Sequence, residues 1–306
     1  MIKQFSIPQT DGHVSSIHAH LSEQTPKATV LVLHGMAEHH ERYLGFATAL
    51  NEAGLDVWLY DHRGHGKNTP MEDLGFLAEK DGHRKLIEDA KQVFDTLRQE
   101  SRTPQIFLFG HSMGSLVGRC LLQEEDGFTG AILCGSTRPA SLVTKAGVLL
   151  CRLVCAVNGA RHRSPFLNGV LFGSSLYKKV NTRTDFDWLT KDEAIVDAYI
   201  ADPYCGFLCT AGFYRDLVQT TNQAGDPSCM SKVRKDLPMA FIAGALDPVG
   251  GCGKEILELA DWHKNQGYKD ISCTLYPEDR HEILNEFDKD QVIQDVINWI
   301  QTHLSE

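Results

Sequence analysis

Short, uniformly apolar runs alternate with amphipathic segments along most of the chain. Residues 29–33, Thr-Val-Leu-Val-Leu, are apolar on both alternating faces, which is typical of strands buried within parallel sheets. Residues 83–102 instead place Leu86, Ala90, Val93 and Leu97 at helical spacing on one face. The same patterns predict strands at 29–33, 56–60, 105–109, 131–134, 239–244 and 271–276, and helices at 42–53, 83–102, 115–122, 254–265 and 292–304. The alternation predicts an α/β fold, with a mostly parallel central sheet and helices on both faces.

The alternation has one long interruption. It stops after Ser136 and resumes at residue 239, and residues 137–226 are helical and loop-like with no clear pattern of a buried strand. We therefore expect a core formed by residues 1–136 and 227–306, with residues 137–226 inserted as a helical cap. At the amino terminus, the dipeptide Asp11-Gly12 between two short apolar segments predicts a β-hairpin.

Composition narrows the class of protein without identifying it. Of 306 residues, 42% are hydrophobic and 23% charged, as in an ordinary globular protein, and the net charge of −10 argues against a nucleic-acid partner. We find neither a secretory leader nor an apolar stretch long enough to cross a bilayer. The nine cysteines follow no disulfide spacing, so we expect reduced thiols and a cytoplasmic protein.

The charge is distributed unevenly. Residues 127–184 contain no Asp or Glu but eight basic residues: Arg138, Lys145, Arg152, Arg161, Arg163, Lys178, Lys179 and Arg183. Within this stretch, residues 141–157 are strongly apolar, and Lys145 and Arg152 lie seven positions apart, on one helical face. Cations flanking an apolar helix suit peripheral contact with an anionic membrane surface. A cap helix with two solvated cations explains the pattern equally well.

The sequence Gly110-His111-Ser112-Met113-Gly114 joins a predicted buried strand to a predicted helix. A serine in G-x-S-x-G on such a strand-to-helix turn is the pattern of a nucleophile elbow. The glycines leave room around the strained turn, and the helix that follows directs its free N–H groups towards an oxyanion formed at the serine. Ser112 is therefore the candidate nucleophile.

A serine hydroxyl needs a base, and that base needs an acid to orient it. Asp247 follows the predicted strand at 239–244, and His281 follows the one at 271–276. Because functional groups of a doubly wound sheet gather at the carboxyl ends of its strands, Ser112, Asp247 and His281 form a candidate catalytic triad. Their order along the chain is that of the α/β-hydrolases. The expected oxyanion-hole donors are the N–H groups of Met113 and of Met36, which follows the strand at 29–33.

Other chemistry has weaker support in the sequence. The chain contains no phosphate-binding or dinucleotide-binding glycine motif, so we expect no nucleotide cofactor. Histidines at 34, 39, 40, 62 and 65 have no nearby Cys or acidic residue that completes a recognisable ligand set, so we expect no metal ion. The segment Asp61-His62-Arg63 is interpreted as a buried, salt-bridged turn rather than a catalytic site.

With these residues, the chain resembles the monoacylglycerol lipase and lysophospholipase branch of the α/β-hydrolases, which is grouped with the serine aminopeptidase-like hydrolases. The matching motifs are His34-Gly35-Met36-Ala37-Glu38-His39 with Arg42-Tyr43, Asp61-His62-Arg63-Gly64-His65-Gly66, Gly110–Gly114, the Asp247 loop and His281-Glu282 with Asn285-Glu286. The resemblance implies that Ser112 is the nucleophile, His281 the general base and acid, and Asp247 its orienter, with Met36 and Met113 at the oxyanion hole. Ala37 departs from the family, which usually has glycine there, and Ser115 stands where a further glycine is common.

Three hypotheses for function remain at this stage. The first is a serine hydrolase that cleaves carboxylic esters of single-chain lipids, monoacylglycerols or lysophospholipids, through an acyl-enzyme. The second is an aminopeptidase with the same triad, for which Glu38, Asp192, Glu193 and Asp197 are the candidate anchors of a substrate ammonium group. The third is a ligand-binding protein that keeps a hydrolase scaffold without turnover.

Overall fold

The computed structural model describes residues 1–137 and 141–304, so Arg138 of the basic stretch lies outside the described residues. The strands are β1 (Ile2–Pro8), β2 (Val14–His20), β3 (Ala28–Leu33), β4 (Leu55–Tyr60), β5 (Ile106–His111), β6 (Gly130–Cys134), β7 (Met239–Gly244) and β8 (Ile271–Tyr276). Every run predicted to be a buried strand forms one. The first two strands form the predicted hairpin, whose turn includes Gly12 at a backbone φ of +85°.

The strands form one eight-stranded sheet in the order β1-β2-β4-β3-β5-β6-β7-β8. Strands β3 to β8 pair in parallel, whereas β1 pairs with β2, and β2 with β4, in antiparallel fashion. The predicted mostly parallel sheet is therefore confirmed. Because the parallel strands share one direction, the loops after β3, β5, β7 and β8 emerge at the same edge of the sheet, where the candidate catalytic residues lie.

The helices are α1 (Leu44–Glu52), α2 (Gly82–Glu100), α3 (Met113–Leu121), α4 (Leu142–Asn158), α5 (Pro165–Phe172), α6 (Ser175–Val180), α7 (Glu193–Ala201), α8 (Ala211–Ala224), α9 (Pro227–Met230), α10 (Lys254–Asn265) and α11 (Lys289–Thr302). Helices α1 and α11 pack on one face of the sheet, and α2, α3 and α10 pack on the other. Along β3, Val30 and Val32 face the first layer while Leu31 and Leu33 face the second, which is why the strand is apolar at successive positions.

Most predicted helices differ from the observed ones by a few residues at their ends, and two of these differences have a clear reason. The helix predicted at 42–53 is a short 3-10 turn, His40–Tyr43, followed by α1. The closing helix begins at Lys289 rather than at 292, because its first turn is polar and exposed and only Val292 begins the buried face. Apolar periodicity marks the buried part of a helix, not its first turn.

Helices α4 to α9 occupy the segment between β6 and β7, the place of the predicted insertion. Helix α8 packs against α2, α3 and α4, so the end of this segment is joined directly to the core layer. The buried guanidinium of Arg119 on α3 donates to the carbonyl oxygens of Thr137 and Ala224, at 3.1 and 2.9 Å, and so links both ends of the segment to α3. The division at residues 137 and 226 stays a prediction.

Helix α4 packs on α8 through one face and leaves the opposite face open. Its exposed apolar side chains include Leu142, Val143, Leu149, Leu153 and Val157, with Leu142 84% exposed. Among the described residues, no helix combines the length and the apolarity needed to cross a membrane.

Candidate active site

Ser112 stands at the turn between β5 and α3 with a backbone φ of +53°. This conformation is strained for a non-glycine residue, typically by about 1–3 kcal/mol, and surrounding contacts must hold it. The Ser112 N–H donates to the carbonyl oxygen of Cys134 at 2.9 Å, and the Ser115 hydroxyl donates to the carbonyl oxygen of Ser112 at 2.6 Å. A Cβ at Gly114 would lie 2.1 Å from the carbonyl oxygen of Leu33, so only glycine lets α3 approach β3 this closely.

Asp247 and His281 meet at the carboxyl ends of β7 and β8. Their side chains are almost fully buried, and Asp247 Oδ2 lies 2.9 Å from His281 Nδ1. The other carboxylate oxygen, Oδ1, accepts from the N–H of Val249 at 2.8 Å, which fixes the orientation of the acid. A Cβ at Gly244 would lie 2.2 Å from the carbonyl oxygen of Asp279, so this glycine lets the two loops come together.

The pairing with Asp247 changes the protonation of His281. Burial alone lowers the pKa of the imidazole, but the Asp247 carboxylate and its hydrogen bond outweigh burial and raise the pKa above its ordinary value. Nε2 of His281 is buried and has no hydrogen-bond partner in the described part of the chain, Ser112 included. This nitrogen is therefore available to take a proton.

Residues next to Ser112 lie against His281, but no hydrogen bond joins the serine to the histidine. His111, the residue before the serine, packs its ring against that of His281 with a centroid distance of 4.7 Å. Gly135 follows Cys134, the backbone partner of Ser112, and a Cβ on it would lie 2.9 Å from Cε1 of His281. Catalytic hydrogen bonds are often long before substrate binds. The assignment of the three residues as a triad stays a prediction.

The loop after β3 passes directly over the serine. A Cβ at Gly35 would lie 3.2 Å from Cβ of Ser112, so the chain at Gly35-Met36 contacts the nucleophile position. Met113 is the first residue of α3, where backbone N–H groups have no partner within the helix. The two N–H groups predicted for the oxyanion hole thus belong to segments that meet at Ser112, and their role stays a prediction.

A buried ion network joins the loop after β3 to the loop of His281. Glu38 Oε1 accepts from the N–H of Gly35 at 2.5 Å and from the Tyr43 hydroxyl at 2.8 Å, and its Oε2 lies 2.7 Å from Arg42 Nη1. The Arg42 guanidinium also binds both carboxylate oxygens of Glu282, at 2.5 and 2.6 Å. Although burial opposes ionisation, Arg42 lowers the pKa of Glu282 to about 2, whereas burial raises the pKa of Glu38.

Ala37 has a backbone φ of +54°, in the left-handed region that favours glycine. Its carbonyl oxygen accepts from the Tyr199 hydroxyl at 2.8 Å and from the Gly206 N–H at 2.9 Å. Both donors lie between β6 and β7, so this segment holds the loop in its strained conformation. Glycine would adopt this conformation at a lower steric cost than Ala37 does.

An aromatic cluster from the same segment covers His281. The ring of Trp188 lies 5.0 Å from that of His281, and the backbone N–H of His281 donates to the Trp188 carbonyl oxygen at 3.3 Å. The rings of Phe172 and Tyr177 also pack against the indole, with centroids 6.2 and 5.3 Å from it. The cluster limits the access of water to the histidine, and its low dielectric strengthens the interaction with Asp247.

The sequence assigned no role to Trp188, Tyr199, Arg42 or Glu282, and it considered Glu38 only as an anchor for a substrate ammonium group. For the last three a signal was available, since Glu38 and Arg42 stand four apart directly after a buried strand and Glu282 follows His281. Trp188 and Tyr199 belong to the segment without recognisable motifs, and only the folded chain brings them to the site.

The predicted turn at Asp61–Arg63 is buried and ionic, but its two charges do not pair with one another. Asp61 accepts from the backbone N–H of His40 at 2.8 Å, and its Oδ2 lies 2.9 Å from His40 Nδ1. Arg63 donates to Asp89 at 2.6 Å and to Asp11 at 3.0 Å. These contacts give the turn a structural role in joining the hairpin and α2 to the sheet.

The structure adds a possible ligand set that the sequence did not reveal, while the expectation of no metal ion stays a prediction. The structure brings Asp202 and Cys205 to His39, with one ligand atom of each residue within 4.8 Å of the others. The three positions are far apart in sequence, so local spacing could not reveal the cluster. Cys205 and Cys209 both lie in the loop before α8.

The sheet order, the strained serine between β5 and α3, and the acid–histidine pair at β7 and β8 define an α/β-hydrolase. The chain belongs to the serine aminopeptidase S33 family, whose sequence profile matches residues 24–288. It is 29% identical to the monoacylglycerol lipase of Mycolicibacterium smegmatis over 91% of this chain and 90% of that protein. It is 30% identical to human monoglyceride lipase, over 61% of this chain and 54% of the human protein. The crystal structure of a thermostable carboxyl esterase from Bacillus coagulans in complex with glycerol superimposes with a TM-score of 0.91, at 26% identity and 99% coverage of both chains.

Asp247→Asn should lower the pKa of His281, because the carboxylate is what raises it above the ordinary imidazole value. If His281 acts as the base in its neutral form, ester hydrolysis by the native chain should fall at acidic pH. The midpoint of this fall should lie above the pKa of free imidazole. The variant should move this midpoint to lower pH and reduce kcat by about 10⁴-fold. The pH profile of kcat/KM and an NMR titration of the imidazole measure both effects.

Asp270→Asn is the matched control, since Asp270 also pairs with a histidine, His303, at 3.3 Å on the surface. It should leave the profile and kcat unchanged. A profile that does not move in Asp247→Asn would contradict the role given to this pair.

Ala37→Gly should stabilise the protein by up to about 1 kcal/mol, because glycine adopts a positive φ without the steric cost that alanine meets. Ala146→Gly, the same chemical change at an exposed position within α4, should destabilise it by about 1 kcal/mol. Urea denaturation of the three proteins measures both values. A loss of stability in Ala37→Gly equal to that in Ala146→Gly would show that Ala37 is unstrained.

Proposed function

We propose that this chain is a carboxylic ester hydrolase that acts on single-chain lipid esters of the monoacylglycerol type through an acyl-enzyme. The observation that carries the proposal is the buried Asp247–His281 pair with a free, buried Nε2, adjacent to a serine held in a strained turn. The relatives named as monoacylglycerol lipases and the esterase that binds glycerol support the choice of substrate class.

In this mechanism Ser112 Oγ attacks the ester carbonyl while His281 Nε2 accepts the hydroxyl proton. Asp247 holds the ring with Nδ1–H towards its carboxylate and stabilises the imidazolium that forms. The negative charge on the carbonyl oxygen develops beside the N–H groups of Met36 and Met113, at the amino terminus of α3. His281 then donates its proton to the leaving alcohol, and water, deprotonated by the same nitrogen, hydrolyses the acyl-enzyme.

The contacts of the candidate ammonium anchors favour an ester over a peptide substrate. Glu38 already accepts from Gly35 and Tyr43 and pairs with Arg42, so it has no free oxygen directed at a substrate. An aminopeptidase would have to use the other three acids, which lie at or near the exposed start of α7. Asp192 accepts from the N–H groups at the start of α7, while Glu193 and Asp197 face the guanidinium of Arg183.

Ser112→Ala should abolish hydrolysis of monoacylglycerol, with a loss of kcat on the order of 10⁶-fold, because no other group supplies the attacking oxygen. Ser231→Ala, at an exposed serine outside the site, is the control and should keep the activity. Release of fatty acid and covalent labelling by a fluorophosphonate measure the two variants. Labelling or turnover that persists in Ser112→Ala would exclude the serine, and faster cleavage of aminoacyl anilides than of esters would favour the aminopeptidase.

We propose that residues 137–226 act as a cap over this site. The part that contacts the catalytic loops runs beside His281 and Glu282, whose backbone N–H groups donate to the carbonyl oxygens of Trp188 and Leu189. Arg280 donates to the carbonyl oxygen of Asp187 at 2.5 Å. These contacts place residues 187–189 of the proposed cap directly against the loop of the catalytic histidine.

The exposed face of α4 supports a peripheral membrane contact by the cap. Its apolar side chains are flanked on one side by Lys145 and Arg152, which line an open groove of about 320 Å³ with His83 and Gln219. This is the arrangement of an interfacial helix, with an apolar face for the acyl region and cations for anionic head groups. Arg161 and Arg183 are instead paired with acidic residues, so only part of the basic stretch is available.

The state of the cysteines supports a reducing location. All nine are free thiols in the structure. We therefore keep the cytoplasm as the proposed compartment, with the membrane contact peripheral.

The double variant Lys145→Gln/Arg152→Gln should bind vesicles containing phosphatidylglycerol about 30-fold more weakly at low salt, since each cation near an anionic surface contributes about 1 kcal/mol. Leu149→Gln/Leu153→Gln should weaken binding at all salt concentrations by removing apolar contact. Leu257→Gln, which changes an exposed leucine on α10, is the control. Co-sedimentation across a salt series measures binding, and binding that is absent or unaffected by salt would favour a solvated face.

A further inference from the structure

His39, Asp202 and Cys205 form a cluster where the loop after β3 meets the segment between β6 and β7. His39 Nε2 lies 2.9 Å from Asp202 Oδ2, and one ligand atom from each of the three residues lies within 4.8 Å of the others. His39 and Cys205 are buried, while Asp202 is partly exposed and gives the cluster a path to solvent. None of the three takes part in the catalytic steps derived above.

The residue types and spacing suit one class of ligand. Imidazole, thiolate and carboxylate are the protein ligands of Zn²⁺, and bonds of about 2.0 Å to N or O and 2.3 Å to S place the ligand atoms of a tetrahedral ion about 3.3–3.5 Å apart. The observed separations reach this geometry with shifts of about 1 Å at the ends of side chains. The soft thiol makes Mg²⁺ and Ca²⁺ poor candidates.

The charges around the cluster favour a cation. The Cys205 thiol lies near the negative charges of Glu38, Glu282 and Asp202. It also lies near the positive charge of the Arg42 guanidinium. Lys67 lies near Asp202 on the exposed side. Three negative charges against two positive ones leave the surroundings net negative before the thiol ionises.

We propose that His39, Asp202 and Cys205 form a zinc-binding site that ties the cap segment to the loop carrying Met36. The two segments already converge on Ala37, whose carbonyl oxygen accepts from Tyr199 and Gly206. A bound ion adds coordination bonds across the same junction, three residues from the oxyanion-hole donor. The proposal does not depend on the proposed ester hydrolysis.

Binding is coupled to proton release. The ion forms bonds to N, O and S; the S–H bond of Cys205 breaks and its proton leaves to solvent, and the proton that His39 Nε2 shares with Asp202 moves to Nδ1 as Nε2 bonds the ion. An ordinary cysteine thiol is protonated at neutral pH, and only the thiolate binds the ion. Affinity should therefore rise about tenfold for each pH unit.

The experiment titrates metal-free full-length Ser112→Ala with Co²⁺ and then Zn²⁺, so that turnover plays no part in the readout. We expect one equivalent of Co²⁺ to bind. Its spectrum should show a thiolate-to-cobalt charge-transfer absorption in the near ultraviolet, and its visible bands should be as intense as those of a tetrahedral cobalt ion. Zn²⁺ should displace the cobalt stoichiometrically, release one proton measured with a pH indicator, and raise the temperature of thermal unfolding.

The variants separate this site from the other histidines and thiols. Cys205→Ala should lose the charge-transfer band and bind Zn²⁺ at least about 100-fold more weakly, whereas Cys209→Ala, a buried cysteine of the same loop, should retain both. If Cys205→Ala fails to fold, Asp202→Asn supplies the test of affinity at a partly exposed position and should also weaken Zn²⁺ binding. Absence of the thiolate band in the parent protein, or one Zn²⁺ bound with equal affinity by all variants, would overturn the proposal.

Discussion

The candidate site depends on one buried guanidinium shared by two carboxylates. Arg42 binds Glu38, which holds the N–H of Gly35, and Glu282, which follows His281. Removing one partner from such a buried network typically costs about 3–5 kcal/mol, because the remaining charge stays without compensation. The network therefore fixes the distance between the loop over Ser112 and the loop of the histidine, which belong to distant parts of the chain.

Backbone strain is concentrated around the same site. Ser112 and Ala37 both have a positive φ without being glycine, and each is held by hydrogen bonds from a different segment: Cys134 and Ser115 for the serine, Tyr199 and Gly206 for the alanine. Such strain persists only where neighbouring structure over-determines it. Here the strained residues place the hydroxyl of the candidate nucleophile next to the loop that carries an expected oxyanion-hole N–H, at the carboxyl edge of the parallel strands.

The segment between β6 and β7 combines two surfaces with different roles. Towards the core, Trp188 and Tyr199 complete the walls around His281 and Ala37. Away from the core, α4 exposes an apolar face flanked by cations. Residues 127–184 contain no acidic residue, and their basic residues have different surroundings. Arg161 and Arg183 pair with acidic residues outside this stretch, whereas Lys145 and Arg152 line an open groove.

The sequence by itself determined the strands, their mostly parallel arrangement and the three residues Ser112, Asp247 and His281 as candidates. It could do so because uniformly apolar runs and strand-end positions are local signals, and parallel strands carry their loops to a common edge. Only the tertiary structure decided what surrounds those residues: Arg42 between two carboxylates, Trp188 over the histidine, and Asp202 with Cys205 beside His39. These contacts join segments separated by up to 240 positions, as Arg42 and Glu282 are, so no local pattern encodes them and packing of the whole chain is needed to bring them together.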